Sequence, residues 1–371
     1  MLRVLALEPY YALSHRTFLE GYARYSGHEV AIWQMPARKW KWRMRGSAYH
    51  FAEQARAASL GEAPHVVLAS DFLNLADWLA LAPSGFRDAP TVLYFHENQI
   101  TFPLGEAAPA DFHYGWINLS SAFAADRVLF NSSYHREAFL AEAKRVLDRM
   151  PDHVPSDLVP GIRERSEVFP VGIDFAPHGD ALREPRQAHS VPTLVWNHRW
   201  EYDKGPELMA EILSQLKREG VPFRAVICGQ SFKTSPPIFG ELRERLGDHL
   251  VHLGFFESPE EYWKALGTAD VVLSTSKHEF FGVSVVEAMF LGCLPVLPRA
   301  LSYPELLPAH LHDTFLGDGP SGLRERLRDV LQRPPVEHRQ AIQEAAAQYD
   351  WRVLAPRLDA ILAEAAARGR R

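Results

Sequence analysis

Short apolar runs of three or four residues recur along the whole chain, at Val4–Leu7, Val30–Trp33, Val66–Ala69, Val92–Phe95, Val128–Phe130, Leu194–Trp196, Ala225–Cys228, Val271–Ser274 and Pro295–Leu297. Between many of them the period lengthens to that of a helix, as at Glu207–Glu219 and Glu260–Leu266. Alternation of buried strands with helical stretches is the pattern of parallel sheets covered by helices on both faces. Nine strand candidates exceed one sheet of ordinary size, so the pattern predicts an α/β chain of two doubly wound, Rossmann-like domains.

The predicted boundary falls in Phe175–Pro192, which is polar, holds Pro and Gly and has no periodicity. This divides the chain into residues 1–175, residues 190–345 and a terminal piece, 346–371, expected to pack back across the domains. Within that piece Trp351–Ala365 reads as an amphipathic helix with Leu354, Leu358, Ile361 and Leu362 on one face, started or kinked by Pro356. Met150–Ile162, with Pro151, Pro155 and Pro160, reads as a long surface loop.

Length agrees with this division, because 371 residues are too many for one ordinary core. A hydrophobic content of 47% and a charged content of 23% are those of a soluble globular protein. No apolar run approaches the roughly 20 residues of a membrane helix. Met1–Leu7 runs into Glu8-Pro9 without a small-residue cleavage site and reads as a first strand, not a leader. Cys228 and Cys293 both sit in apolar runs, which gives no disulfide framework and fits a cytoplasmic enzyme. A net charge of −6 argues against a chain basic all over, while leaving room for a local basic patch. Neither a GxGxxG fingerprint nor a Walker lysine loop occurs, which weighs against a dehydrogenase or an NTPase.

The richest chemistry follows the run at Val271–Ser274. Glu279 and Glu287 flank Phe280-Phe281-Gly282-Val283-Ser284, and Glu287-Ala288-Met289-Phe290-Leu291 reads as a helix stopped by Gly292. Glu279 is expected to project from the strand end and Glu287 to sit a turn or two into the helix. The amides of Gly282, Val283 and Ser284 would then be helix N-terminal donors suited to a phosphate. One carboxylate can take sugar hydroxyls and the other ribose hydroxyls; a local cap and a surface charge are the plain alternative. Upstream, Arg199 and Lys204 lie five residues apart at another strand end and can bracket a diphosphate, or form a solvated loop with Glu201 and Asp203. Gly229 closes the run at Ala225–Cys228 and fits close backbone approach to a ligand, or a tight turn.

The first half carries a different pattern. Arg38, Lys39, Trp40, Lys41, Trp42, Arg43 and Arg45 place five cations and two tryptophans within eight residues, with no carboxylate before Glu53. Interleaved cations and indoles suit RNA phosphates and unpaired bases; a solvated loop with its tryptophans packed inward is the alternative. Tyr94-Phe95-His96-Glu97-Asn98-Gln99 ends a strand, so His96 can face a ligand or be a satisfied buried histidine. Glu8-Pro9-Tyr10-Tyr11-Ala12-Leu13-Ser14-His15 ends the first strand, and Asp111-Phe112-His113-Tyr114-Gly115 and Asn131-Ser132 are further candidates for lining a site.

Taken in order, Arg199, Lys204-Gly205, Cys228-Gly229, His252-Leu253-Gly254, Ser274, Glu279-Phe280-Phe281-Gly282, Glu287-Ala288 and Gly292-Cys293-Leu294-Pro295 resemble the C-terminal half of retaining glycosyltransferases with two Rossmann-like domains facing across a cleft, the GT-B architecture. Phe169-Pro170-Val171-Gly172-Ile173-Asp174 resembles the interdomain segment of that family, with Val171 where an Asn is usual. Trp351 also matches. The first-half motifs Pro36–Arg43, Tyr94–Gln99, Phe130–Ser132 and Pro151–His153, with Lys277–Gly282, resemble one subfamily, the tRNA-queuosine α-mannosyltransferases.

The resemblance implies GDP-mannose as donor substrate, queuosine at the wobble position of tRNA-Asp as acceptor, transfer with retention, and neither metal nor cofactor. Arg199 and Lys204 would hold the diphosphate, with Gly229 and Phe281–Ser284 beside the donor, Glu279 on the sugar and Glu287 on the ribose. His96 would serve the chemistry, and Ser14, His15, Arg38–Arg43, Asn98 and Asn131 the acceptor. The Gly-Gly turn usual at the end of the first strand is absent, which bears on how closely that backbone approaches the diphosphate. Rival readings are a GDP- or UDP-sugar transferase acting on a lipid or polysaccharide, a tRNA-binding protein with a degenerate transferase fold and, remotely, a nucleotide-sugar epimerase. The sequence carries no signal of oligomeric state.

Overall fold

The computed structural model describes residues 1–58, 63–101, 112–177, 191–231 and 235–370. Asp111 and residues 178–190 of the expected linker lie outside the described residues. The chain forms two compact units, Met1–Asp174 with Tyr349–Arg371, and Phe175–Gln348.

Among the described residues, twelve strands make two all-parallel sheets. The first unit contains β1 (Arg3–Tyr11), β2 (Glu29–Pro36), β3 (Val66–Ser70), β4 (Thr91–Phe95), β5 (Arg127–Phe130) and β6 (Ser166–Val168), in the order β2-β1-β3-β4-β5-β6. The second contains β7 (Thr193–Asn197), β8 (Arg224–Cys228), β9 (Leu250–Gly254), β10 (Val271–Leu273), β11 (Leu294–Pro298) and β12 (Leu316–Gly317), in the order β12-β11-β10-β7-β8-β9. Every predicted run forms a strand. The additional strands β6, β9 and β12 are all at sheet edges, where one side has no neighbour and a continuous apolar run is not required. Central strands β3, β4 and β7 are buried at every position because helices cover both faces.

In both sheets the chain order reverses beside the first strand of the unit: between β1 and β3, and between β7 and β10. Open α/β sheets bind ligands outside the carboxyl ends of the strands at such a reversal, because the flanking loops leave in opposite directions and open a crevice.

The expected loop at Met150–Ile162 ends instead in a helix, Leu158–Glu164, which accommodates Pro160 in its first turn, where the missing N–H has no intrahelical acceptor anyway. The C-terminal helix, Trp351–Arg368, is capped by Asp350, whose carboxylate accepts the Arg352 amide; Pro356 lies at its sixth position and does not start it. Trp351 is fully buried in the first unit, against Phe18 and Tyr22, with ring centroids at 4.9 and 5.8 Å. Asp359 accepts the hydroxyls of Tyr22 and Ser26 and the Gly27 amide. A methyl group on Gly21 would lie 2.2 Å from the Trp351 ring and one on Gly172 2.3 Å from it, so both positions exclude side chains.

Gly21→Ala is expected to lower stability by about 1–3 kcal/mol through overpacking. Gly267→Ala, in a helix with nothing within 4 Å of the added methyl, is expected to be neutral or to stabilise by up to about 1 kcal/mol. Urea midpoints of the two variants check this, and equal midpoints would contradict the packing role of Trp351.

Candidate active site

At the second unit's reversal, β7 ends in Asn197 and leads to His198 and Arg199, while β10 leads to Ser274–Glu279. Gly205 adopts φ +63°, and a Cβ there would sit 2.1 Å from the Thr275 carbonyl oxygen. Only glycine lets these two loops touch, and their contact drives Lys204 inward. The Lys204 Nζ lies 3.1 Å from each of Glu279 Oε2, Asp203 Oδ2 and the His278 carbonyl oxygen. Burial disfavours the ammonium, but the carboxylates of Glu279 and Asp203 outweigh it and raise the Lys204 pKa. For Glu279, burial pushes the carboxyl up, and Lys204, His198 and the Phe281 amide together more than reverse this.

The loop carrying Glu279 is braced from below. Ser302 donates to the Phe281 carbonyl at 3.1 Å, and Tyr303 shares a 2.6 Å hydrogen bond with Ser274. Gly282, at φ +103°, then opens the helix Val283–Phe290, so the first-turn amides of Val283 and Ser284 lack intrahelical acceptors. Glu287 is the fifth residue of that helix. Its Oε2 accepts the Tyr262 hydroxyl at 2.6 Å, and Asn197 donates to Tyr262 Oη at 3.1 Å and to the Ser284 carbonyl at 2.7 Å. Burial pushes the Glu287 carboxyl up to about 7, with the Tyr262 hydrogen bond opposing. His198, buried next to Lys204, is held down to about 4 by burial and then by that ammonium, so it is neutral at pH 7.

Two predicted donor residues sit differently. Arg199 is 43% exposed and pairs with Glu201 at 3.1 Å, outside the Lys204 cluster. Gly229 is fixed by packing, since a Cβ there would lie 1.8 Å from the His198 carbonyl oxygen. Phe281 is buried, and it is its backbone that reaches Glu279.

In the first unit, Glu8, the sixth residue of β1, is fully buried and its Oε2 lies 3.0 Å from His15 Nδ1, while its Oε1 accepts the Tyr10 amide. The pair has His15 raised to about 9: burial pulls it down, but Glu8, Asp71 and Glu97 together outweigh burial. The His96 ring lies 4.0 Å from the His15 ring, and burial together with the His15 charge holds His96 well below the ordinary histidine range. Two neighbouring imidazoles are thus held in opposite protonation states. Ser14 is half-buried on the same helix, Leu13–Tyr25.

Glu8, His15 and His96 offer ligand atoms all within 4.8 Å of one another, the one such group among the described residues. A metal would have to displace the proton that Glu8 holds on His15, so the arrangement fits an ion pair better than a ligand set.

Asn98 and Asn131, expected on the acceptor, are held by hydrogen bonds within the unit. Asn98 Nδ2 meets His135 Nε2 at 2.9 Å, and its Oδ1 accepts the amides of Ile100 and Thr101. Asn131 bridges His135 Nδ1 and the His96 carbonyl. Both are buried and fix the turn that presents His96.

The basic segment opens a helix, Trp40–Ala57, with Lys39 in left-handed backbone as its N-cap. The buried face runs Arg43, Met44, Ser47, Ala48, Phe51, Ala52 and Ala55, so helical spacing turns Arg43 inward, where it donates to the Pro36 carbonyl at 3.1 Å. Trp40 also leans inward, on Tyr114 at 5.0 Å. Arg38, Lys39, Lys41, Arg45 and Trp42 (63% exposed) remain outside, with Lys41 and Arg45 over the Tyr114 ring. The adjoining helix Phe112–Ala124 exposes Phe112 and Trp116. Sequence reasoning missed Tyr262 and Asp71. Asp71 follows a strand end, a signal that could have found it, whereas Tyr262 lies mid-helix without one.

The chain is similar to known glycosyltransferases. A profile described as glycosyl transferases group 1 matches residues 182–349, and one described as tRNA-queuosine alpha-mannosyltransferase N-terminal matches residues 3–173. Sucrose-phosphate synthase from Thermosynechococcus elongatus shares the fold with a TM-score of 0.72 at 15% identity, covering 99% of this chain and 100% of that one. Anabaena HepE does so with a TM-score of 0.66 at 16% identity over 98% and 100%. Fold and sequence together define a glycosyltransferase built from two Rossmann-like units. The tRNA-queuosine alpha-mannosyltransferase of Drosophila melanogaster is 36% identical over 91% of this chain and 89% of its own length. A GDP-mannose-dependent phosphatidylinositol dimannoside mannosyltransferase of Mycobacterium tuberculosis is 26% identical over 76% and 71%. The chain belongs to the tRNA-queuosine α-mannosyltransferase family. No described helix is long and apolar enough to cross a membrane.

His15 has its pKa raised from 6.5 to about 9, so the Glu8–His15 pair contributes stability that is fully present below pH 6.5 and lost as pH rises through about 9. The melting temperature of the wild type is expected to fall more steeply across that window than that of Glu8→Gln. Parallel curves would contradict the ion pair.

Proposed function

We propose that the protein transfers mannose from GDP-mannose to queuosine at the wobble position of tRNA-Asp, with retention and without a metal, in the cytoplasm. The observation that carries this reading is the match of residues 3–173, the half that holds the basic, aromatic helix start, to the N-terminal region of tRNA-queuosine mannosyltransferases. The identity to the Drosophila enzyme extends it over both units.

In this reading the second unit holds the donor. Lys204 and, after leaving Glu201, Arg199 neutralise the diphosphate, and the amides of Val283 and Ser284 add the helix N-terminal field. Glu287 takes ribose hydroxyls and Glu279 the transferred sugar. The bond from the sugar C1 to the β-phosphate oxygen breaks with its electron pair going to phosphate. The acceptor oxygen bonds to C1 on the same face and its proton passes to the departing phosphate. The cations act where charge develops, on the leaving group, which is why the reaction as written requires no metal.

His96, neutral and at a strand end, can accept a hydrogen bond from a sugar hydroxyl. The exposed cations Lys39, Lys41 and Arg45, with Trp42, would meet tRNA phosphates and unpaired bases.

Mass spectrometry of nucleosides from queuosine-containing tRNA, after incubation with GDP-mannose, is expected to show one added hexose on queuosine; hexose only on a lipid, or none, would overturn the reading. Glu279→Gln, which keeps an oxygen for Lys204, is expected to reduce the rate at least about 100-fold, since it removes a charge acting in the transition state. Lys41→Ala with Arg45→Ala is expected to weaken tRNA binding and reduce the slope of log affinity against log salt by about 1.5, at ~0.7–0.9 per phosphate contact. An unchanged slope would remove this face from the RNA interface.

A further inference from the structure

The crevice at the β1/β3 reversal holds more chemistry than the proposed transfer uses. Three carboxyls, of Glu8, Asp71 and Glu97, surround the single imidazolium of His15, and His96 beside them is neutral. Asp71 is 2% exposed, and its Oδ1 accepts the His96 amide at 3.0 Å. Burial pushes its carboxyl well above the usual range; His15 opposes, and Glu97 and Glu8 push it further. The pocket gathers three carboxyls around one imidazolium, and the charged form of the buried Asp71 is the one this disfavours.

A second observation is independent of charge. The Oγ of Ser70 and the hydroxyl of Tyr94, on residues 6% and 1% exposed, have no hydrogen-bond partner. They line the same small cavity as Glu8 and His96. A buried hydroxyl without a partner costs about 1–3 kcal/mol, so a polar occupant is favoured there. A third is a wall of rings. Tyr10 stacks on Phe72 at 5.0 Å, Phe72 meets His15 edge-on at 5.4 Å, and Trp40 lies 6.5 Å from Phe72 and 5.0 Å from Tyr114, the ring beneath Arg45. These rings lead from the basic face to the carboxylates within one unit.

We propose that this crevice binds the side group of the acceptor base, with Glu8, Asp71 and Glu97 balancing a protonated amine and with Ser70 and Tyr94 taking one of its hydroxyls. The inference rests on the acceptor assigned above. The base of queuosine carries a secondary ammonium joined to a ring with neighbouring hydroxyls, and guanosine carries neither. The half-buried Tyr10 ring, stacked on Phe72, would face the planar base, and the small cavity behind takes a hydroxyl. Specificity then follows from charge: a basic surface attracts any tRNA, while an acidic pocket admits only the amine-bearing base.

Calorimetric titration of the full chain with free queuosine, with guanosine and with N-acetylated queuosine tests this. Queuosine is expected to bind at least about tenfold more tightly than either analogue, as for one lost charge-assisted contact. Glu8→Gln and Asp71→Asn should each remove most of that preference with GDP affinity unchanged, and Glu97→Gln, at a half-buried site, serves where a buried substitution unfolds the chain. Equal affinity for queuosine and guanosine, or a preference that survives all three substitutions, overturns the proposal. Wild-type transfer of hexose to tRNA with unaltered acceptor KM in the variants removes the pocket and leaves the transfer standing. Selective queuosine binding that the substitutions abolish, in a protein that transfers nothing, supports the pocket and removes the transfer.

Discussion

The ammonium of Lys204, buried between Glu279 and Asp203, is the contact on which the second unit's chemistry depends. A lone ammonium or carboxylate at that depth would be costly, and breaking one side of such a pair typically costs several kcal/mol. The pair therefore fixes two loops that leave different strands, one after β7 and one after β10. Gly205 against Thr275 makes their approach sterically possible, and Ser302 and Tyr303 hold the β10 loop from beneath. With that loop fixed, Gly282 starts the helix that carries Glu287 and whose first amides lack intrahelical acceptors.

The first unit solves a related problem with different residues. Its buried charge is the Glu8–His15 pair, and the His15 charge adds to burial in holding His96 well below the ordinary histidine range. Asn98, Asn131 and His135 form a closed hydrogen-bond chain whose product is the orientation of the His96 turn. Both sites lie at the reversal of strand order, where a parallel sheet leaves a crevice. Function is placed by topology first and tuned by local charge afterwards.

How much of this the sequence disclosed follows from how local each feature is. Central strands were legible because burial on both faces demands an unbroken apolar run. Edge strands β6 and β9, half-exposed, carry no such run, and β12 has only two residues. Glu279 and Glu287 were legible because strand, loop and helix are contiguous there. Tyr262 was not, because only the tertiary fold brings its hydroxyl to Glu287. Asn98 and Asn131 stand at strand ends, where polarity alone does not tell a ligand contact from a brace. Arg43 shows the same limit: a cation in a basic run was counted with its neighbours, yet helical spacing turns it onto the core face with Met44 and Ser47.

Hydrogen-exchange mass spectrometry tests most directly the proposed division of donor and acceptor between the two strand reversals. GDP-mannose is expected to protect the backbone at residues 197–205 and 274–290, and queuosine-containing tRNA to protect residues 8–15, 38–49 and 94–98. Protection by GDP-mannose confined to the first unit, or protection by tRNA that misses all three of its segments, would contradict it.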